Sequence, residues 1–293
     1  MPSPKHIVIT GSTRGIGYGL AEAFLRFGCA VTISGRSGES TASAVKQLSA
    51  KFDTGRVYGV ACDVAVSAQV ESLWEKASSH FGKVDIWINN AGHSGEMEMA
   101  WKHPAEEVHS VIATNILGTI YGSQVAMRGM QTQGHGAIYN MEGMGSDGRK
   151  HAGLTYYGTT KYAVHYFTES LAMEAKDTPI ITGGLRPGMV ATDMIRDRYK
   201  DRPDEWERAA KHAIWQAART GQPFTSEDIT AMVGFPDHLG HRANGPNNRI
   251  GLLLNKVAKS YGLRRIDMKA AKNPQAHGRL LTVWQGRRTG DGS

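Results

Sequence analysis

The chain predicts an α/β fold: a doubly wound parallel sheet with helices on both faces. Three observations carry this. Short apolar runs alternate with longer amphipathic segments over roughly the first 190 residues, their spacing suits βαβ units, and a glycine-rich turn follows the first run directly. The runs that read as strands are His6–Thr10, Ala30–Ser34, Arg56–Ala61, Asp85–Asn89, Gly136–Met141 and Ile180–Arg186. Between them, apolar residues recur at helical spacing in Ile16–Phe27, Thr41–Phe52, Ala68–Phe81, Ala105–Met130 and Tyr157–Ala175. Each parallel pair needs a crossover, and crossover helices cover the faces of the sheet, so residues 1–195 read as one domain.

Residues 196–293 read as a helical extension of that domain. Asp201–Arg219 has helical composition with a proline near its start, and Ser226–Val233 is a second helix candidate. Gly240–Asn248 breaks the pattern. After it Ile250, Leu253, Leu254, Val257 and Tyr261 fall on one helical stripe, with Lys256 and Lys259 between them, which predicts an amphipathic helix with a basic face. Its stripe has three destinations: the mouth of an active site, a partner subunit, or a membrane surface. A seventh strand of the sheet would lie near Leu280–Trp284.

Composition excludes several classes. In 293 residues, 40% are hydrophobic, 21% are charged, and 35 glycines stand against 10 prolines, which fits neither disorder nor a repetitive fibrous chain. No uncharged apolar run approaches the ~18 residues of a membrane span, and the strand at Ile7–Ile9 begins too early to leave room for a signal or transit peptide. A soluble, cytoplasmic protein is the expectation. Cys29 and Cys62 sit in apolar stretches without any CxxC or Cys/His grouping, so they read as reduced core thiols and no metal site is expected. The net charge of +7 is a C-terminal property, since Arg242–Ser293 holds eleven Lys/Arg against two Asp/Glu and the remainder holds 23 against 25. Such a tail could meet an anionic cofactor or a membrane surface. It shows neither an RNA-binding signature nor zinc-finger spacing, which argues against nucleic acid.

The chemistry begins where the first strand runs into Thr10-Gly11-Ser12-Thr13-Arg14-Gly15-Ile16-Gly17. Glycines there let the backbone turn tightly and approach a pyrophosphate, whose charge the N–H groups of the helix start can hold. Two more motifs follow: Asn89-Asn90-Ala91-Gly92 at the end of the fourth strand, and Tyr157-Gly158-Thr159-Thr160-Lys161. With Asn115 and Pro187-Gly188, they make residues 5–195 resemble the short-chain dehydrogenase/reductase family. The resemblance implies a Rossmann-type sheet, a nicotinamide dinucleotide, and reduction or oxidation at a carbonyl carbon. It also implies a small-molecule substrate and a homo-oligomer formed through the Ala105–Met130 and Tyr157–Ala175 helices.

Residue by residue, the resemblance makes Tyr157 the acid/base. A phenol of pKa ~10 is a poor donor at neutral pH unless its anion is stabilised, and a lysine one turn later lies on the same helix face. Lys161 would lower the phenol pKa and hold the nicotinamide ribose. Asn115 would help hold a water linking Lys161 to solvent, while Tyr156 is a wall or core aromatic. By family position, Asp63 and Val64 border the adenine, Asn89 and Ala91 the adenosine ribose, and Val190 and Thr192 the carboxamide, with Gly92, Pro187 and Gly188 alongside. Charge argues the choice of cofactor. The second strand ends Ser34-Gly35-Arg36-Ser37 with no acid until Glu39, and Arg14 sits inside the glycine turn. Two cations and no acid suit the 2′-phosphate of NADP(H).

One departure stands out. The family carries a serine about thirteen residues ahead of the tyrosine, and here that stretch reads Asn140-Met141-Glu142-Gly143-Met144-Gly145-Ser146-Asp147-Gly148. Ser146 either takes its place, if the flanking glycines fold the loop back, or is an ordinary loop serine. Glu142 reads as a loop anchor. This stretch, the Tyr-Gly-x-Thr-Lys form of the motif and Pro187–Asp193 resemble the chlorophyll b reductases of the same family. An NADPH-dependent reductase of a bulky hydrophobic aldehyde or ketone is therefore the expectation. The alternatives are a short-chain reductase of another bulky metabolite, or a catalytically silent NADP-binding regulator.

Overall fold

The computed structural model describes residues 4–187, 203–219, 264–270 and 280–285, with positions 223–224, 228–229, 232 and 254 besides. The chain divides into two compact units, Met1–Gly188 and Met189–Ser293.

In the first unit six strands alternate with helices: β1 (His6–Ile9), β2 (Ala30–Gly35), β3 (Val57–Ala61), β4 (Ile86–Asn89), β5 (Gly136–Met141) and β6 (Ile180–Leu185). The helices are α1 (Gly15–Arg26), α2 (Gly38–Ser49), α3 (Ser67–Phe81), α4 (Ala105–Ile112), α5 (Gly118–Gln133) and α6 (Thr155–Glu174). The strands stand in the order β3-β2-β1-β4-β5-β6, all parallel. This is the Rossmann-type sheet that the apolar runs predict. The order reverses between β1 and β4, and the crevice at that switch point is where such sheets bind ligands.

Because side chains alternate across a strand, successive apolar residues feed two cores. Ile7, Ile9 and Ile88 join Ala21 and Leu25 of α1 and Ala44 and Leu48 of α2 on one face. Val8 and Trp87 join Leu73 of α3 and Ala126 and Met130 of α5 on the other. Trp87 is wholly buried, and truncating such a side chain to alanine costs about 3–5 kcal/mol. Cys62 lies in this core, where burial pushes its thiol up to about 11, and Cys29 is raised for the same reason. Both are free thiols, as expected of core cysteines.

The single helix expected over Ala105–Met130 is a run interrupted by a π turn, Ala113–Leu117, between α4 and α5. Such widened turns are frequent at functional sites, and this one contains Asn115.

In the second unit α7 (Pro203–Arg219) forms as predicted, burying Ala210, Ala213, Ile214 and Ala218 at helical spacing. The expectation for the end of the chain needs correction. Leu280–Gln285 (β8) is a strand, but it pairs antiparallel with β7 (Arg264–Ala270) in a two-stranded sheet of its own instead of extending the main one. A parallel seventh strand needs a long crossover, whereas antiparallel partners close in sequence pair locally. The extension is thus not all helical. The basic helix predicted at Ile250–Tyr261 lies outside the described residues except for Leu254, which is helical and buried. Of Ser226–Val233, only 228–229 and 232 are described, and these are helical.

Candidate active site

Thr10–Arg14 forms the turn between β1 and α1, at the switch point. Gly11 has φ +60°, a left-handed conformation that favours glycine, and a Cβ there would lie 2.7 Å from the Ala91 Cα. The turn is tied to the end of β4: Asn90 Nδ2 donates to the carbonyls of Thr10 and Gly11, both at 2.9 Å, and Ala91 N donates to Thr10 Oγ1 at 3.1 Å. It is tied to β2 as well, since Ser12 Oγ accepts from Ser34 N at 2.9 Å and donates to the Ile9 carbonyl at 2.6 Å. Thr13 packs its methyl against Gly35, while Gly15 and half-buried Ile16 open α1 and Gly17 is buried behind the turn.

The start of α1 has neither a side-chain cap nor an acid in its first turn, leaving its N–H groups and positive dipole end for an anion. Arg14 and Arg36 flank that turn, both exposed and neither ion-paired among the described residues. A turn that admits close backbone approach, a free helix start and two unpaired guanidinium groups fit the pyrophosphate of a dinucleotide.

Tyr157 and Lys161 lie one turn apart on α6, facing the end of β5. Lys161 is 4% exposed, and its Nζ donates to the Met141 carbonyl at 2.9 Å and stands 5.7 Å from the Tyr157 ring centroid. Burial lowers its ammonium to about 8, and the Glu142 carboxylate acts in the opposite direction. Asn115 is fully buried: Oδ1 accepts from His93 N at 3.0 Å, and Nδ2 donates to the His93 carbonyl and to Thr160 Oγ1, each at 2.9 Å. Asn115 thereby clamps the Gly92–His93 backbone to α6. A Cβ on Gly92 would stand 3.1 Å from Asn115 Oδ1 and 3.5 Å from Lys161 Nζ, so these groups share one small space.

After β5 the loop folds back in two tight turns, with Ser146 N donating to the Gly143 carbonyl and Gly148 N to the Gly145 carbonyl, both at 3.0 Å. A Cβ on Gly143 would lie 2.6 Å from the Tyr157 hydroxyl, and one on Gly145 would lie 2.7 Å from the Gly158 Cα. Ser146 is 2% exposed, and its hydroxyl has no hydrogen-bond partner among the described residues. Beside Tyr157 lies a narrow crevice without room inside for a water molecule, lined on its apolar side by Val108, Val111, Leu154 and Tyr156. Glu107 pairs with His103 in it, bonding His103 Nδ1 at 3.0 Å, and also accepts from the backbone N–H of Glu96. Tyr156 is the wall aromatic expected, its hydroxyl donating to the Ala100 carbonyl at 2.9 Å.

Several residues assigned to the cofactor also hold the protein together. The Asn89 amide is spent inside the protein, accepting from Trp87 Nε1 at 2.8 Å and donating to Asn140 Oδ1 at 2.8 Å and Ser123 Oγ at 3.0 Å, so only its backbone is left for a ribose. Asp63 Oδ1 accepts from Ala65 N at 3.0 Å, and Val64 packs on Gly118 at the start of α5; both shape the loop after β3. Pro187 is exposed beyond β6, whereas Gly188, Val190 and Thr192 lie outside the described residues. The sequence reading also missed how Glu142 is held. Its carboxylate is 5% exposed, bonds Arg186 Nε, and lies 3.0 Å from His165 Nδ1. The available signal was an acid directly after a buried strand.

A parallel sheet with a glycine turn at its switch point, and a Tyr-Lys pair facing a buried asparagine, defines a dinucleotide-type oxidoreductase. The chain belongs to the short-chain dehydrogenase family, whose model matches residues 5–203. It is similar to chlorophyll(ide) b reductase NOL, chloroplastic, of Oryza sativa subsp. japonica, at 38% identity over 200 residues, 67% of this chain and 58% of that protein. The chain thus spans little more than half the length of that relative. Among solved structures, a short-chain dehydrogenase/reductase of Burkholderia phymatum in complex with NAD is 28% identical, with a TM-score of 0.62 over 69% of this chain and 72% of that one. The closed form of serine dehydrogenase complexed with NADP+ is also 28% identical, with a TM-score of 0.61 over 69% and 80%.

Proposed function

We propose that this protein is an NADPH-dependent carbonyl reductase that acts on an aldehyde or ketone carried by a bulky, largely apolar molecule, as its similarity to chlorophyll b reductase suggests. The observation that carries this reading is the buried Lys161 ammonium set beside the Tyr157 ring, next to a narrow crevice with an apolar wall.

The dinucleotide supplies the hydride. Tyr157 gives its phenolic proton to the alkoxide oxygen formed on the substrate carbonyl. Lys161 stabilises the phenolate left behind, and burial strengthens that stabilisation because little solvent screens the charges. Asn115 holds the Gly92–His93 segment against α6 and helps keep a water beside Lys161, through which the proton is replaced. Ser146, folded back in its loop with an unpartnered hydroxyl, is assigned to the substrate oxygen. Gly11, Ser12, Thr13, Gly15, Ile16 and Gly17 hold the pyrophosphate, and Arg14 and Arg36 the 2′-phosphate.

Exposed apolar side chains on the helices, Ile112 and Leu117 on one run and Tyr162, Tyr166 and Met173 on α6, support a homo-oligomer through those faces. A monomeric mass in solution would oppose it.

The deciding experiment is Tyr157→Phe, assayed by NADPH consumption with a panel of aldehydes that includes formyl-bearing tetrapyrroles. General acid catalysis contributes roughly 10²–10⁴-fold, so turnover falls by that order while NADPH binding holds. Retention of more than about a tenth of the activity would remove Tyr157 from the role. Absence of NADPH turnover in the unaltered protein with every aldehyde would favour the silent regulator.

A further inference from the structure

The Tyr157-Lys161 face of α6 continues with His165 and Glu169 at four-residue spacing, so it runs beyond the acid/base pair into a cluster that the reaction does not use directly. At its centre is the Glu142 carboxylate. Oε1 lies 3.0 Å from His165 Nδ1, Oε2 bonds Arg186 Nε, and Arg186 Nη2 stands 3.1 Å from His165 Nδ1. His165 Nε2 is in turn 3.4 Å from Glu169 Oε1. The strand opposite makes room: a Cβ on Gly184 would lie 2.8 Å from the Glu142 Cδ, and Glu142 N donates to the Leu185 carbonyl at 2.9 Å. Residues from β5, α6, β6 and the segment after β6 thus converge on one buried charge. The residue before it, Met141, provides the carbonyl that receives Lys161 Nζ.

We propose that Glu142 is a positioning residue for the acid/base pair: it provides the buried counter-charge to the Lys161 ammonium and anchors the Met141 carbonyl to which that ammonium is bonded. The inference rests on the proposed roles of Tyr157 and Lys161. A desolvated ammonium is costly unless an anion accompanies it, and Glu142 is the charged group that acts on Lys161. Burial alone would raise the Glu142 carboxyl, but hydrogen bonds from Arg186 and His165 outweigh it and hold it below the usual carboxylate range. His165 from α6 and Arg186 from beyond β6 bond this carboxylate, with Glu169 behind His165 and Asp147 acting on Arg186; Lys161, one turn before His165 on the same face of α6, bonds the carbonyl of the preceding residue and feels the carboxylate without forming an ion pair within 4 Å.

Two substitutions act on Lys161 differently. Glu142→Gln removes the anion, so the ammonium loses its proton at lower pH and the alkaline limb of reductase turnover falls by about one pH unit. Arg186→Met leaves the carboxylate less neutralised, so the limb stays or rises. Lys161 is also titrated directly by NMR of ¹³Cε-labelled lysine, assigned with Lys161→Met, which reads the counter-charge without any assay of activity. An unmoved Lys161 titration in Glu142→Gln overturns the inference, and so do two variants that shift the limb the same way, because a merely loosened site would do that. Should Glu142→Gln fail to fold, Arg186→Met decides alone, and a downward shift sinks the proposal. Full activity in Tyr157→Phe or Lys161→Met would instead refute the catalytic reading, while the NMR titration would still judge Glu142.

Discussion

Gly143 and the Tyr157 hydroxyl occupy one space: a Cβ on the glycine would lie 2.6 Å from the phenolic oxygen. The loop therefore presents bare backbone at the phenol, two residues before the Gly145 that packs on Gly158. Gly143→Ala should push the phenol aside, because the end of the tyrosine yields more readily than the backbone. Turnover is expected to fall at least about tenfold, a small part of what general acid catalysis supplies, with the melting temperature almost unchanged. Unchanged kcat would mean that the phenol has room the structure does not show.

With glycine at that place, the hydroxyl proposed for the substrate oxygen is that of Ser146. Removing one charge-stabilising donor of this kind costs about 10²–10³ in kcat where it meets the developing oxyanion directly. Ser146→Ala should therefore lower kcat by one to two orders of magnitude, at unchanged NADPH affinity. A variant with wild-type kinetics would make Ser146 an ordinary loop residue.

These two residues show how far the sequence was legible. The six strands of the main sheet were readable because parallel strands buried on both faces are unbroken apolar runs, and α1 was readable because the glycine turn marks its start. Gly11, Asn115, Tyr157 and Lys161 were readable because a few residues of fixed type sit at fixed spacing. Gly143 was not, since a missing side chain leaves no pattern and only the fold shows what fills its place. The internal bonding of the Asn89 amide was hidden for another reason. A buried amide must find partners, and those partners, Asn140 and Ser123, lie 51 and 34 residues away. Glu142 drew attention as an unexpected acid, yet Arg186 and His165 are 44 and 23 residues distant and no local pattern joins them. Leu280–Trp284 was legible as a strand, whereas β7 and its pairing with β8 escaped because β7 is a short run crowded with charged residues in a basic tail.

Cofactor choice is tested at Arg36. It follows β2 directly, is exposed, and has no ion-pair partner among the described residues, so its charge is available to a phosphate. A charge-assisted contact contributes on the order of 1.5–3 kcal/mol, equivalent to about a tenfold to hundredfold change in binding. Arg36→Leu should raise the NADPH Michaelis constant by that factor and leave the NADH constant nearly unaltered. Equal effects on both would show that Arg36 does not read the 2′-phosphate.

His6 opens β1 with its ring almost wholly buried, against the edge of Phe81. Nε2 stands 2.8 Å from Thr32 Oγ1 and Nδ1 3.1 Å from the Lys83 carbonyl, an arrangement that suits the neutral ring donating through Nδ1. Burial lowers its pKa from 6.5 to about 4, against the Lys83 carbonyl and Asp85, which act upwards. Because the folded value lies below the unfolded one, the unfolded chain binds the proton first as pH falls through 6.5, and the folded state loses relative stability until about pH 4. The loss from this one residue is on the order of 3 kcal/mol, large beside the 5–15 kcal/mol typical of a folded domain. His6→Gln, which cannot titrate, should lack this component. Urea unfolding at pH 7 and pH 4.5 is expected to show the unaltered protein losing about 2–3 kcal/mol more than the variant between the two conditions. Parallel losses in both proteins would mean that His6 takes up its proton in the folded state near its ordinary value.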